Sequence, residues 1–183
     1  MLPILLALAF IVILLLVVIV GQPDEFTVSR SAKIAAPPEQ IFPHVNELRN
    51  WEAWNPWGKL DPNCKMTYDG PPAGVGASYA WSGNNKIGAG RSTITESVPD
   101  ELVRLKLEFL KPMAATNTAV FTFEPDGGQT IVTWTMSGRN NSLVCKLFGL
   151  LMNMDKMCGN MFEKGLAQMK SLAEARGATA VRV

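Results

Sequence analysis

Hydrophobic and polar positions alternate differently in three stretches of the chain. From Leu2 to Val20 no charge and no hydrogen-bonding side chain interrupts the run. As a helix it would rise roughly 28 Å, close to the hydrocarbon thickness of a bilayer. No face of that helix is polar, which separates it from the core helix of a soluble domain. A secretory signal carries basic residues ahead of its apolar stretch and small residues at its cleavage site. Here no Lys or Arg precedes Leu2, and Val18-Ile19-Val20-Gly21 is a poor cleavage site. The pattern predicts an uncleaved transmembrane anchor over 1–22, with residues 2–20 in the membrane. Arg30 and Lys33 follow on its C-terminal side and, by the positive-inside rule, point to a cytoplasmic domain.

The second stretch is written in strands. Phe26–Ile34 alternates apolar and polar residues, and Ala35-Ala36-Pro37-Pro38-Glu39 stops it. Ile41, Phe42, Val45 and Leu48 recur at helical spacing, with Pro43 expected to kink or restart that helix. A second short helix is expected near Asn50, because Trp51 and Trp54 are three apart. Strands follow at 65–69, 77–82 and 87–98, separated by the glycine-rich 70–76 loop and the Gly83-Asn84-Asn85-Lys86 turn. Val103, Leu105, Leu107 and Phe109 alternate with Arg104, Lys106 and Glu108, the mark of a strand with one face on a core and one in water. Strands at 116–124 and 129–137 flank Pro125-Asp126-Gly127-Gly128, a hairpin turn.

The third stretch, 141–175, contains no proline and loses the alternation. Leu143, Leu147, Leu150, Met154, Met157 and Met161 step by three or four, beside a second stripe of Cys158, Phe162, Leu166, Met169 and Ala173. A long helix is expected, with Gly149, Gly159 and Gly165 marking a break or close backbone packing. Residues 176–183 read as a flexible tail. The order is α+β: a strand, two short helices, about six further antiparallel strands and a terminal helix. A wide curved sheet covered by one helix leaves a space between them, and an apolar space of that kind is a default ligand site.

Composition narrows the function classes. The chain has 183 residues, 48% hydrophobic, with 17 basic and 16 acidic side chains. Most of the apolar excess sits in the first 20 residues, and the rest has the composition of an ordinary soluble domain. A net charge of +1 without a basic run gives no electrostatic case for nucleic acid. His44 is the only histidine, so neither a Ser-His-Asp triad nor a histidine-rich metal site can be built. The three cysteines, Cys64, Cys145 and Cys158, are too widely spaced for a metal site and odd in number, as free thiols would be. Neither a metal nor another cofactor is expected. The glycines of 70–76 lead into a strand, whereas a dinucleotide loop leads into a helix.

Several of these segments together resemble a known family. They are Ala35-Ala36-Pro37-Pro38-Glu39-Gln40-Ile41-Phe42, Trp51-x-x-Trp54-x-Pro56-Trp57, and Met154-Asp155-Lys156-Met157 with Phe162-Glu163-Lys164-Gly165-Leu166. In this order they are similar to the SRPBCC superfamily, and within it to bacterial polyketide cyclase/dehydrase-like proteins, relatives of START lipid-transfer domains. The resemblance covers 24–175. It implies a helix-grip fold, a curved antiparallel sheet of about seven strands wrapped on a long C-terminal helix, here preceded by one transmembrane helix. It also implies an internal pocket for a lipophilic small molecule, a lipid or a polyketide-like compound.

The side chains assigned to that cavity or its gate are Trp51, Trp54 and Trp57 of the short helical segment, with Trp81, Phe109, Phe121 and Trp134 of the strands. Met154, Met157, Cys158, Met161 and Phe162 are assigned from the helix. For the three clustered tryptophans, ordinary packing of the short helices is the competing account. Glu96, Asn117 and Asp155 are candidate polar anchors. Two other functions remain open. A cyclase or dehydratase would need an inward carboxylate, for which Glu96 and Glu124 are candidates. A regulatory module binding a protein partner would show an exposed apolar patch in place of a cavity.

Overall fold

The computed structural model describes residues 1–139, 146 and 154–180. The apolar run forms one helix, α1 (Leu2–Val20), whose side chains are almost all exposed. It is long and apolar enough to cross a membrane. Strand β1 (Glu25–Ile34) follows at once. Then come α2 (Pro38–Asn46), a turn of 3-10 helix at Leu48–Asn50, α3 (Trp51–Trp54) and a second 3-10 turn at Trp57–Leu60. Helix α2 starts on Pro38, where a missing N–H costs nothing, and runs through Pro43 without restarting.

Six strands complete the sheet: β2 (Lys65–Asp69), β3 (Ser78–Ser82), β4 (Ala89–Val98), β5 (Leu102–Lys111), β6 (Ala115–Asp126) and β7 (Gln129–Arg139). Their spatial order is β1-β7-β6-β5-β4-β3-β2, antiparallel throughout. Helix α4 (Met154–Ala180) covers one end of the sheet's inner face, mainly over β1 and against α3. This is the helix-grip fold. The first half of the expected terminal helix, with Leu143, Leu147 and Leu150, lies outside the described residues. At its other end α4 runs on to Ala180, into the segment read as a tail.

The inner face is set by strict alternation. Val28 and Ile34 of β1, Val132, Trp134 and Met136 of β7, Ala119, Phe121 and Phe123 of β6, and Val103 and Leu105 of β5 are all buried. The neighbours between them along each strand are more exposed. The interior glycines of α4 mark close packing and no break. A methyl group on Gly165 would meet the Trp134 ring at 2.9 Å and Pro56 at 3.2 Å. One on Gly159 would run into the Arg30 guanidinium.

Candidate functional site

Cross-strand register divides the inner face into rows. The row Arg30–Trp134–Phe121–Val103 lies under α4, and the row Val28–Met136–Ala119–Leu105–Ile94 comes next. Beyond it runs Phe26–Gly138–Asn117–Leu107–Ser92–Tyr79–Tyr68. The last row is Met66–Trp81–Gly90–Phe109–Ala115. Each step along a row is a direct cross-strand neighbour, about 5 Å away.

The rows differ in how they are covered. Around Trp134 the space is filled by rings. Trp134 stacks on Phe162 of α4 at 4.2 Å between centroids and on Phe121 at 4.8 Å. Trp51, Trp54 and Trp57 close on it edge-on at 6.3, 5.5 and 5.6 Å. Two of these tryptophans also hold the short helices together. The indole N–H of Trp51 donates to the Val45 carbonyl (2.9 Å) and that of Trp54 to the His44 carbonyl (2.8 Å). Both carbonyls belong to the last turn of α2, where the helix cannot satisfy them itself. Phenylalanine could fill the same space but could not donate. Trp51 and Trp54 are therefore core, as the packing account expects, and Trp57 is half-buried beside them.

The far rows are more open. Trp81, Leu107 and Phe109 are only half-buried and Met66 is exposed, although all four stand on the inner face. Trp81 and Phe109 meet edge-on at 5.7 Å. They lie over Gly90, where a methyl group would strike the Trp81 ring. This row forms an aromatic rim. The row behind it carries polar groups: the Asn117 amide, the Ser92 hydroxyl and the Tyr79 hydroxyl. Burial pushes the Tyr79 hydroxyl well above its usual pKa. Among the described residues the one partner of Asn117 Nδ2 is the thioether sulfur of Met136, at 3.9 Å. Ser92 is fully enclosed and its hydroxyl has no hydrogen-bond partner among the described residues.

Two expected anchors stand elsewhere. Glu96 faces water, 47% exposed, and accepts from Arg104 Nε at 2.7 Å. Simple alternation from the inward Ile94 would turn it in. A bulge between Ile94 and Glu96 inserts one residue and turns it out. Glu124 is likewise on the solvent face. Asp155 does reach back to the sheet, but to β1 and away from the open rows. Arg30 donates to both of its carboxylate oxygens, at 2.9 and 3.0 Å, and to Glu163 at 2.8 Å. Those bonds hold the Asp155 carboxyl below its ordinary pKa. Asp155, Gly159 and Glu163 are spaced by four, so one helix face clasps one guanidinium. Sequence reasoning missed Arg30, whose partners lie 125 and 133 residues away.

Of the helix residues, Phe162 and Cys158 are buried, Met161 is half-buried and Met157 is 45% exposed; the Met154 side chain lies outside the described residues. Among the described residues no group of three His, Cys, Asp or Glu could hold a metal ion. A separate surface cleft of about 200 Å³ lies at the β2 edge, between Leu48, Arg49, Tyr68 and the Gly70–Pro72 turn. The Arg49 guanidinium covers the Tyr68 ring there at 4.5 Å.

The fold recurs in solved structures. Protein CV1439 from Chromobacterium violaceum is 16% identical, over 84% of this chain and 99% of that one, with a TM-score of 0.58. A protein from Nitrosospira multiformis is 18% identical over 82% and 99%, with a TM-score of 0.60. The Aha1 dimer from Colwellia psychrerythraea gives 18% over 82% and 95%, with a TM-score of 0.55. At such identities the likeness is one of fold. A search of curated proteins found no match. The family described as polyketide cyclase / dehydrase and lipid transport matches residues 25–174, the whole sheet with its short helices and most of α4. Seven antiparallel strands gripped on a C-terminal helix, with that match along nearly all of the domain, make this chain a member of the polyketide cyclase / dehydrase and lipid transport family.

Proposed function

We propose that the protein is a membrane-anchored carrier or receptor for a lipophilic small molecule, held against the open rows of the inner face. One observation carries this reading. Strand β1 begins at Glu25, five residues after α1 ends, and its first residues pair with Gly138 and Arg139 of β7. The same edge of the sheet holds Trp81, Phe109 and Ala115. A bilayer-spanning α1 would therefore deliver its reservoir of lipophilic molecules to the end of the domain where the inner face is least covered.

The driving force is burial. Each methylene moved from water onto the rim would contribute roughly 0.8 kcal/mol, and less if it comes from lipid. Trp81, Phe109 and Leu107 would supply the apolar wall, with Met157 and Met161 of α4 as adaptable neighbours. Trp51, Trp54, Trp134, Phe121 and Phe162 would act as the rigid floor behind the ligand. The cyclase alternative lacks support, because Glu96 and Glu124 both face water. Beyond α1, the exposed apolar side chains are scattered over β2, loops, strand ends and α4, with no single partner-binding patch on the described residues.

The test is native mass spectrometry of the full chain released from detergent micelles, together with flotation on liposomes. A bound lipophile and carbonate-resistant flotation are expected. Repeated absence of any adduct, with or without added lipophile, would remove the ligand half of the proposal. Release by carbonate would remove the anchor.

A further inference from the structure

The open rows contain one polar group placed to read a ligand. Asn117 is 9% exposed, on the inner face of β6 between Gly138 and Leu107. Its amide oxygen lies over Gly138, so close that a methyl group there would collide with it. No donor among the described residues reaches that oxygen, and its amide nitrogen has only the Met136 sulfur. A buried primary amide would ordinarily be fully hydrogen-bonded, since an unmade bond costs about 1–3 kcal/mol. Asn117 has only a weak acceptor for its donor, and its oxygen is not one of the fully enclosed atoms without a partner, so solvent or a ligand can reach it. The half-buried Leu107 and Phe109 stand beside it toward the rim.

Charge on the same face is accounted for elsewhere. Among the described residues two guanidinium groups lie against the inner face, and neither stands beside Asn117. Arg30 is four residues along β1 from Phe26, about 13 Å away, and is already shared between Asp155 and Glu163. Arg49 covers the Tyr68 ring at the far end of the row, four strand steps or roughly 20 Å along it from Asn117. The remaining polar groups of the row are neutral hydroxyls. A carboxylate or phosphate pressed against Asn117 would lose its hydration with no cation beside it to replace it. A hydroxyl or carbonyl would lose little, because an amide offers both a donor and an acceptor.

We infer that Asn117 recognises the polar head of a neutral amphiphile, an alcohol or carbonyl compound with a long apolar body, and that the site discriminates against anionic lipids of the same length. This rests on the ligand-binding reading above and sharpens it to a substrate class.

The experiment measures binding of three radiolabelled probes of equal chain length to the full chain in maltoside micelles at pH 8: 1-dodecanol, dodecanoate and dodecane. The alcohol is expected to bind at least tenfold tighter than the carboxylate and several-fold tighter than the alkane. In Asn117→Leu the preference of alcohol over alkane should vanish while alkane binding stays. Gly138→Ala, which displaces the amide and leaves Asn117 in place, should weaken the preference in the same direction. Because each variant is read as a ratio between probes, a general loss of folded protein cannot imitate the result. Dodecanoate binding as tightly as dodecanol, or an unchanged ratio in both variants, would overturn the assignment. Failure of all three probes to bind the unaltered protein would instead refute the pocket itself, and the assignment with it.

Discussion

The two ends of the inner face are built from the same strands by the same alternation, yet they are finished differently. Under α4 the large rings of Trp134, Phe121, Trp54 and Phe162 interlock and exclude everything else. Toward the β1 N-terminus the same strands present Gly138, Asn117, Ala119, Gly90 and Ser92, small or polar, with Trp81 and Phe109 at the rim. A sheet that needed only stability would continue the ring packing to its edge, since buried aromatic area is the largest single contribution available. The change of side chains from one row to the next separates a ring-packed part of the inner face from one built of smaller and more polar side chains.

The sharpest way to break that comparison is a pair of truncations. Phe162→Ala removes a ring stacked on Trp134 and met edge-on by Trp57 in the filled core, and should cost about 3–5 kcal/mol, a fall in melting temperature of many degrees. Phe109→Ala, at the half-buried rim, should cost well under half of that and weaken binding of a lipophilic probe more than it lowers stability. Thermal and urea unfolding of the full chain in micelles, beside a binding titration, measures both. Equal destabilisation by the two variants would mean the rim is core like the rest, and the division would fall.

Much of this arrangement could be read from residue order. The β5 alternation, the hairpin at Gly127-Gly128 and the helical stripe of Cys158, Phe162, Leu166, Met169 and Ala173 all appear as the pattern requires. Even Asn117 carried a usable signal, since it stands two and four residues before Ala119 and Phe121 on one alternating face. What could not be read depends on register. The single extra residue at the β4 bulge reverses Glu96, and nothing local marks it. The clasp of Arg30 by α4 joins chain segments more than a hundred residues apart. Which rows are filled and which are open follows from where α4 lands, and hydrophobic periodicity is the same in both.

A smaller effect, still specific to the polar row, is the response to alkali. Burial raises the Tyr79 pKa above that of an exposed tyrosine, and burial with the Glu52 hydrogen bond does the same for Tyr68. In the unfolded chain both ionise near pH 10, while in the fold they remain protonated. The folded state then binds more protons, so stability must fall as pH rises. The contribution is complete below pH 10 and lost progressively above it, toward the raised folded values. Tyr79→Phe keeps the ring and removes the titration, so its urea midpoint should change less between pH 9 and pH 11. An identical pH slope in the variant would mean Tyr79 is not buried as described, and the row would be open to water.

The least costly change falls on the clasp that positions α4. Asp155 is exposed, so Asp155→Asn should lower the melting temperature by only a few degrees at neutral pH, as exposed ion pairs do. Its carboxyl is held below the ordinary value of 3.8, first by the hydrogen bonds from Arg30. That contribution is present above the unfolded pKa and disappears as pH falls through the lowered folded one. The variant and the unaltered protein should therefore differ at pH 7 and converge as pH falls below 3.8 and through the lowered folded value. Hydrogen exchange locates the effect: amides in the first turns of α4 should exchange faster in the variant, while those around Trp134 and Phe121 keep their protection. If protection were lost equally at both places, Arg30 and Asp155 would be part of the ring-packed core. Loss confined to the start of α4 would show that the clasp governs how firmly the helix closes over the boundary between the filled and open rows, with little bearing on whether the domain folds.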